Sequence, residues 1–335
     1  MYILIFCIIA FFSFIFFEKK IHIYMYICIL LIFVFFVGFR GEYVDNDRST
    51  YELYMNNMPY GMERSFVLIS YLCYDLLHSS LLVFVVYAFL ALFLKFYSIK
   101  IFSDFFFLSL LIYYSNVMFL DEMNAIRAGV ASGFFLLSVS YWKDDKIVGT
   151  VFFLFLACFF HYSYLVFLPL IFMIDNTSKY LFYYILLVPF SYLICKFVPF
   201  GNFLYEISRL DYYIDDGQNM NVYSLIYLMK IPVLFFLYFK RKCIICRNSQ
   251  FYIFMKLYSV GICISVLLSR ILPVVGWRIF TMFFVLDVFI FPMLLYCFRQ
   301  KWIAILFILI YSYRMLLVNT VINDYVRPYK MIFDV

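Results

Sequence analysis

Two side chains suited to phosphate and proton chemistry stand near the ends of one stretch, Asp121 to Tyr164. Arg127 opens a run of small residues and His161 closes an apolar run, with the charged turn Lys143-Asp144-Asp145-Lys146 between them. Read as two membrane helices, the chain enters the bilayer beside Arg127, turns, and returns at His161, which puts both residues at one face. A guanidinium offers forked donors that match a phosphate, and an imidazole exchanges its proton near neutral pH. Arg270 and Arg278 gather toward the same face. Several cations there are what holding a pyrophosphate requires, and salt bridges to Asp121, Glu122 or loop carboxylates are the plain alternative. Asp47, in the first long polar loop, is a second candidate for taking a proton or orienting a hydroxyl. It needs a raised pKa to act as a base, and the residues leave the choice between Asp47 and His161 open.

The elements that must position these groups are set by composition. With 67% hydrophobic, 25% aromatic and only 14% charged residues, and a mean hydropathy of +0.98, the chain is not a water-soluble globule. It reads as an all-α, polytopic integral membrane protein with about 12 transmembrane or re-entrant helices. The net charge of +6 collects in particular loops, as the positive-inside bias predicts, so nucleic acid is not an expected partner. The chain reads as one membrane domain over 1–335, with larger outer loops at about 40–64 and 199–221 and the tail 321–335 on the outer side. Met1–Phe17 lacks a basic leader and a small-residue cleavage site, and reads as an anchor entering from outside.

Two orientation choices follow from charge. Lys95 and Lys100 mark the inner end of one span, and Asp121-Glu122 the outer mouth of a later one. A single long helix over Ile147–Ile174 would carry the basic cluster Lys240-Arg241-Lys242 to the outside, against that bias. The run is therefore predicted to split into two short halves with His161 at the outer bend. Gly129 and Gly133 form a small-xxx-small pair that lets helix backbones approach.

Other motifs carry less. Cys243-Ile-Ile-Cys246 has the spacing of half a zinc site without a second half nearby. Asn176-Thr-Ser is a glycosylation sequon on the predicted inner side. Lys230 and Asp287, both within spans, read as a structural ion pair, and Lys196 and Arg314 as snorkelling cations. Asp45-Asn-Asp47 resembles a metal-holding acidic pair of sugar-nucleotide transferases, but the nucleotide-binding domain those use is missing. No metal or other cofactor is expected, a divalent ion at Asp45/Asp47 being the disfavoured alternative.

Taken together, the motifs resemble a family. Phe39-Arg40-Gly41 at a span end, Asp47 with Tyr51 four residues on, and Glu63 opening the next helix look like the first outer loop of the EpsG/Wzy-type polysaccharide polymerases. Ile126-Arg127 followed by a small-residue helix, a lysine-bearing hairpin and Phe160-His161-Tyr-Ser163 resembles that family's most recognisable segment, and Trp277-Arg278-Ile279 its late arginine helix. The resemblance implies a GT-C-like inner-membrane polymerase with two periplasmic loops. Such an enzyme transfers a growing glycan from undecaprenyl pyrophosphate to the next lipid-linked repeat unit at the periplasmic face, in O-antigen or exopolysaccharide assembly. It implies a lipid-linked oligosaccharide and a Wzz-type chain-length regulator as partners. Asp47 and His161 are then the catalytic candidates, and Arg40, Arg127, Arg270, Arg278, Tyr51 and Glu63 the binding ones. A flippase for the same lipid-linked sugars is the alternative, although no repeated halves are visible. An acyltransferase of surface sugars is the third.

Overall fold

The computed structural model describes residues 1–15, 21–197 and 222–333, so the second expected outer loop, 199–221, falls outside the described residues. Among them the protein is helical, with two isolated β-bridges and no strand. Four helices are long and apolar enough to cross a membrane, namely Ser80–Phe102, Phe251–Ile271, Pro273–Tyr296 and Lys301–Ile322, and shorter apolar helices accompany them. Their outward residues are apolar too. In the helix Ile23–Gly38, Tyr26, Leu30, Phe33 and Val37 turn inward, yet Leu31 and Ile32 on the other side are 56% and 63% exposed. A helix that is hydrophobic all round has lipid for its surroundings. The protein is an all-α, multi-pass membrane protein.

The chain divides into two compact units, 1–172 with 287–335, and 173–286. In the first, α1 (Tyr2–Ile15) lies along α6 (Phe106–Tyr113), α2 (Ile23–Gly38) along α5 (Ser80–Phe102), and α5 along α7 (Ile126–Trp142), which pairs with α8 (Ile147–Phe160). Between α2 and α5 come α3 (Arg48–Asn56) and α4 (Arg64–Ser70). The glycines predicted to bring helices together do so. A Cβ on Gly133 would stand 2.6 Å from the Leu94 Cβ of α5, and one on Gly129 would stand 2.8 Å from the Asp121 carbonyl oxygen.

α6 continues into a widened π-helical stretch, Tyr114–Asn124, which ends with the Ala125 amide bonded to the Leu120 carbonyl at 2.7 Å. The wider turn directs Asn116, Asp121, Glu122 and Asn124 into the interior, where all four are buried. Lys95 corrects the topology read from charge. It does not mark an inner surface but is buried against the acidic pair expected at the outer mouth. Its Nζ bonds Asp121 Oδ2 at 2.9 Å and also the Glu122 carboxylate. A four-carbon stem lets the ammonium reach a charge well away from its own Cα.

The chain also breaks where the charge argument placed a bend. α8 ends at His161, whose backbone is extended (φ −154, ψ 113), and a 3₁₀ turn, Tyr162–Phe167, follows. Phe160 packs on Phe134, and Phe167 returns to Phe135 of the same helix with ring centroids 4.0 Å apart. The end of the chain comes back to the first loop. Bridges pair Arg40 with Met331 and Asp45 with Val326, and the Gly41 amide bonds the Lys330 carbonyl at 2.9 Å.

In the second unit, the helix Leu181–Phe197 packs along Phe251–Ile271, which packs along Pro273–Phe284. Lys230 is buried, donating to the Tyr258 hydroxyl at 2.7 Å and lying 3.7 Å from the Phe284 ring centre. Asp287, in the first unit, accepts from Asn116 and from the Tyr311 hydroxyl at 2.7 Å.

Candidate functional site

The site is built on one carboxylate. Glu63 precedes α4, Arg127 sits in the first turn of α7, and His161 caps the end of α8. Glu63 Oε2 accepts from Arg127 Nη1, and Glu63 Oε1 lies 2.8 Å from His161 Nδ1. The arginine and histidine are 34 positions apart in sequence and are joined through a residue far from both. Glu63 is nearly buried at 5%, whereas the Arg127 and His161 side chains keep 20% and 22% of their surface. The carboxylate is thus the floor of the site and the two nitrogen-bearing groups its accessible rim.

The electrostatics follow from this arrangement. Burial by itself raises the Glu63 pKa, but the hydrogen bond to His161 and the charge of Arg127 outweigh it and hold the carboxyl below its ordinary value. A carboxylate facing Nδ1 fixes the imidazole so that Nδ1 carries the proton and Nε2 is the free basic nitrogen. Arg127 lies over the rings of Tyr51 and Phe66, its guanidinium carbon 5.5 and 5.9 Å from their centres. Burial pushes the Tyr51 phenol up to about 12, so it stays a neutral hydroxyl. Met62 Sδ lies 2.8 Å from Arg127 Nη1.

The remaining predicted residues divide. Tyr51 joins the cluster, and Asp47, one turn before it, stands beside it. Asp47 is half-buried, and its amide bonds Asp45 Oδ1 at 3.1 Å. Arg40 is different, being wholly buried with its donors engaged. Nε bonds Asp45 Oδ2 at 2.5 Å, Nη1 the Val37 carbonyl at 2.8 Å and Nη2 the Met123 carbonyl at 2.6 Å. It clasps the first loop instead of facing a ligand. Asp45 is likewise taken up, by Arg40 and by the amides of Asp47 and Arg48. Arg270 and Arg278 belong to the second unit, at the end of one helix and the start of the next, and both are exposed. That elbow is tight, since a Cβ on Gly276 would lie 2.8 Å from the Ser269 amide nitrogen.

Sequence reasoning found Glu63 as a binding residue but not as the bridge, and it missed the partnership of Lys95 with Asp121 and Glu122. The acidic doublet after an apolar run was the available signal, without a local cue to its partner. Cys243 and Cys246 are exposed free thiols, and the Asn176 side chain is engaged with Ser249 and Ile253.

No curated protein and no solved structure matches the chain. The EpsG family does, over residues 23–331, a span that takes in every candidate site residue. That family supports the general character of a Wzy-like polysaccharide polymerase, and with most of its length matched, the chain belongs to the EpsG family.

Proposed function

We propose that this protein elongates a polysaccharide by glycosyl transfer from a lipid pyrophosphate, at the outer face of the bacterial cytoplasmic membrane. The donor is a growing glycan on undecaprenyl pyrophosphate and the acceptor is the next lipid-linked repeat unit. Family membership supports the polymerase class. The observation that carries the rest is the shared carboxylate, which places a cation and an oriented imidazole at adjacent, partly open positions.

In this reading an acceptor hydroxyl oxygen attacks the anomeric carbon of the donor. The new C–O bond forms as the bond from the anomeric carbon to the pyrophosphate oxygen breaks, and the electron pair leaves on that oxygen. Arg127 neutralises the charge that develops there. His161, held at Nδ1 by Glu63, takes the hydroxyl proton on Nε2. Asp47 and the Tyr51 hydroxyl orient the sugars. The histidine is preferred as base because its orienting partner, Glu63, is already in place at Nδ1. The chemistry is carried by the first unit, and a metal has no part in the reading.

The test is polymer formation by purified protein in vesicles with lipid-linked repeat units. Arg127→Ala and His161→Ala leave single repeat units and no ladder, while Asp47→Asn retains a ladder at reduced rate. Normal ladders from both Arg127→Ala and His161→Ala refute the site. Movement of repeat units across the bilayer without polymer turns the reading to a flippase.

A further inference from the structure

The contact between Glu63 and Arg127 has an unusual form for an arginine–carboxylate pair. Such pairs are commonly two-pronged, with parallel N–H bonds to both oxygens. Here Glu63 spends one oxygen on His161 and meets the guanidinium at Nη1 alone, and Arg127 Nε is buried with no hydrogen-bond partner. The cation is therefore charge-balanced but only partly satisfied as a donor. Arg127 lies over the rings of Tyr51 and Phe66 and is also met by the Tyr51 hydroxyl, and among the described residues Glu63 is the carboxylate that pairs with it.

We propose that the Glu63 carboxylate is a resident stand-in for a phosphate group, occupying the Arg127 seat until a pyrophosphate displaces it. This rests on the reading of Arg127 as a pyrophosphate-binding residue and adds what holds the empty seat. A phosphate has three outward oxygens in a geometry that matches the guanidinium fork, so it can engage Nε as well as a terminal nitrogen. On its arrival Oε2 of Glu63 gives up Arg127, while Oε1 keeps His161 and with it the imidazole orientation. The same carboxylate thus guards the anion seat before binding and positions the base afterwards. It also sets a selectivity: a singly charged carboxylate such as acetate replaces the resident group with one of the same charge and gains little, whereas a pyrophosphate brings more charge and more acceptor oxygens.

The experiment titrates inorganic pyrophosphate into detergent-solubilised full-length protein in a neutral maltoside, reading affinity by calorimetry and protection by the melting temperature. Wild type binds, Arg127→Ala does not, and Glu63→Gln binds roughly 10- to 100-fold more tightly, the fold-change that corresponds to one charge-assisted hydrogen bond. Glu63→Gln also melts lower than wild type without ligand and is raised more by pyrophosphate, because its unpaired cation is then answered. Glu63→Ala repeats both results. Glu52→Gln removes an equal charge from the Arg48 pair and leaves the affinity unchanged. Acetate raises neither melting temperature. Doping the micelles with phosphatidylglycerol leaves the titration as it was, and competition there instead assigns the seat to a lipid headgroup phosphate. Equal or weaker binding by Glu63→Gln and Glu63→Ala, with wild-type binding still dependent on Arg127, overturns the stand-in role and spares the pyrophosphate reading. No Arg127-dependent binding overturns both.

Discussion

Replacing Arg40 separates a structural arginine from a binding one. Both the Arg40 and Asp45 side chains are wholly buried, and the guanidinium makes three bonds, to Asp45, Val37 and Met123, that tie the end of α2 and the first loop to the turn before α7. Arg40→Ala removes all three and leaves a buried carboxylate without its cation. Breaking a buried pair on one side costs about 3–5 kcal/mol, which for a chain of this size moves the melting temperature by roughly 10 °C. Asp45 keeps the amides of Asp47 and Arg48 as partners, so the lower half of that range is expected. Arg127, by contrast, is one-fifth exposed and meets its carboxylate at one nitrogen, and Arg127→Ala shifts melting by a few degrees at most while abolishing polymer. The assay is thermal melting of purified protein in detergent beside ladder formation in vesicles. Arg40→Met with Asp45→Asn, which removes both charges, recovers part of the loss seen with Arg40→Ala. If Arg40→Ala melts within about 2 °C of wild type and still loses polymer, the clasp reasoning is wrong and Arg40 returns to the binding residues.

Further outcomes follow from the same contacts. Lys95→Met strands Asp121 and Glu122 and lowers stability by about 3–5 kcal/mol, whereas adding Asp121→Asn and Glu122→Gln restores most of it; wild-type melting by Lys95→Met alone contradicts this. Gly129→Ala drives a Cβ to 2.8 Å from a backbone carbonyl oxygen, while Gly38→Ala meets the Val85 side chain at 3.1 Å. The first is expected to lose about 1–3 kcal/mol and the second less, and the reverse order of melting temperatures would count against the α7 packing. The Glu63 carboxyl is held below its ordinary 4.5. The stability it adds is fully present above that value and is lost only as pH falls through the lower folded one. The melting difference between wild type and Glu63→Gln therefore narrows only below about 4.5; narrowing already near neutrality would show that Arg127 and His161 do not hold the carboxylate down.

The apolar composition determined the all-α membrane architecture without help from structure, because hydrocarbon leaves a chain few ways to satisfy its backbone other than helices. The break at His161 was legible as well, since the basic cluster at Lys240–Lys242 rules out one long helix from Ile147 to Ile174 under the positive-inside bias. Arg127 and His161 were nameable from local pattern, being polar groups at the ends of apolar runs, and Glu63 from the resemblance of the first outer loop to the family. Their union was not, since a carboxylate that serves two partners 64 and 98 positions away has no local signature. The same holds for Lys95, read as a surface charge until the π-helical stretch brought Asp121 and Glu122 to it. Arg40 shows the limit most plainly. Its type and place at a span end fit a ligand-binding cation, and only the folded chain, which bridges Met331 and Val326 to Arg40 and Asp45 and buries the guanidinium against Asp45, Val37 and Met123, makes it a buried clasp. Charge and hydropathy are properties of residues and can be read one at a time, but which charge answers which is a property of distances that exist only after packing.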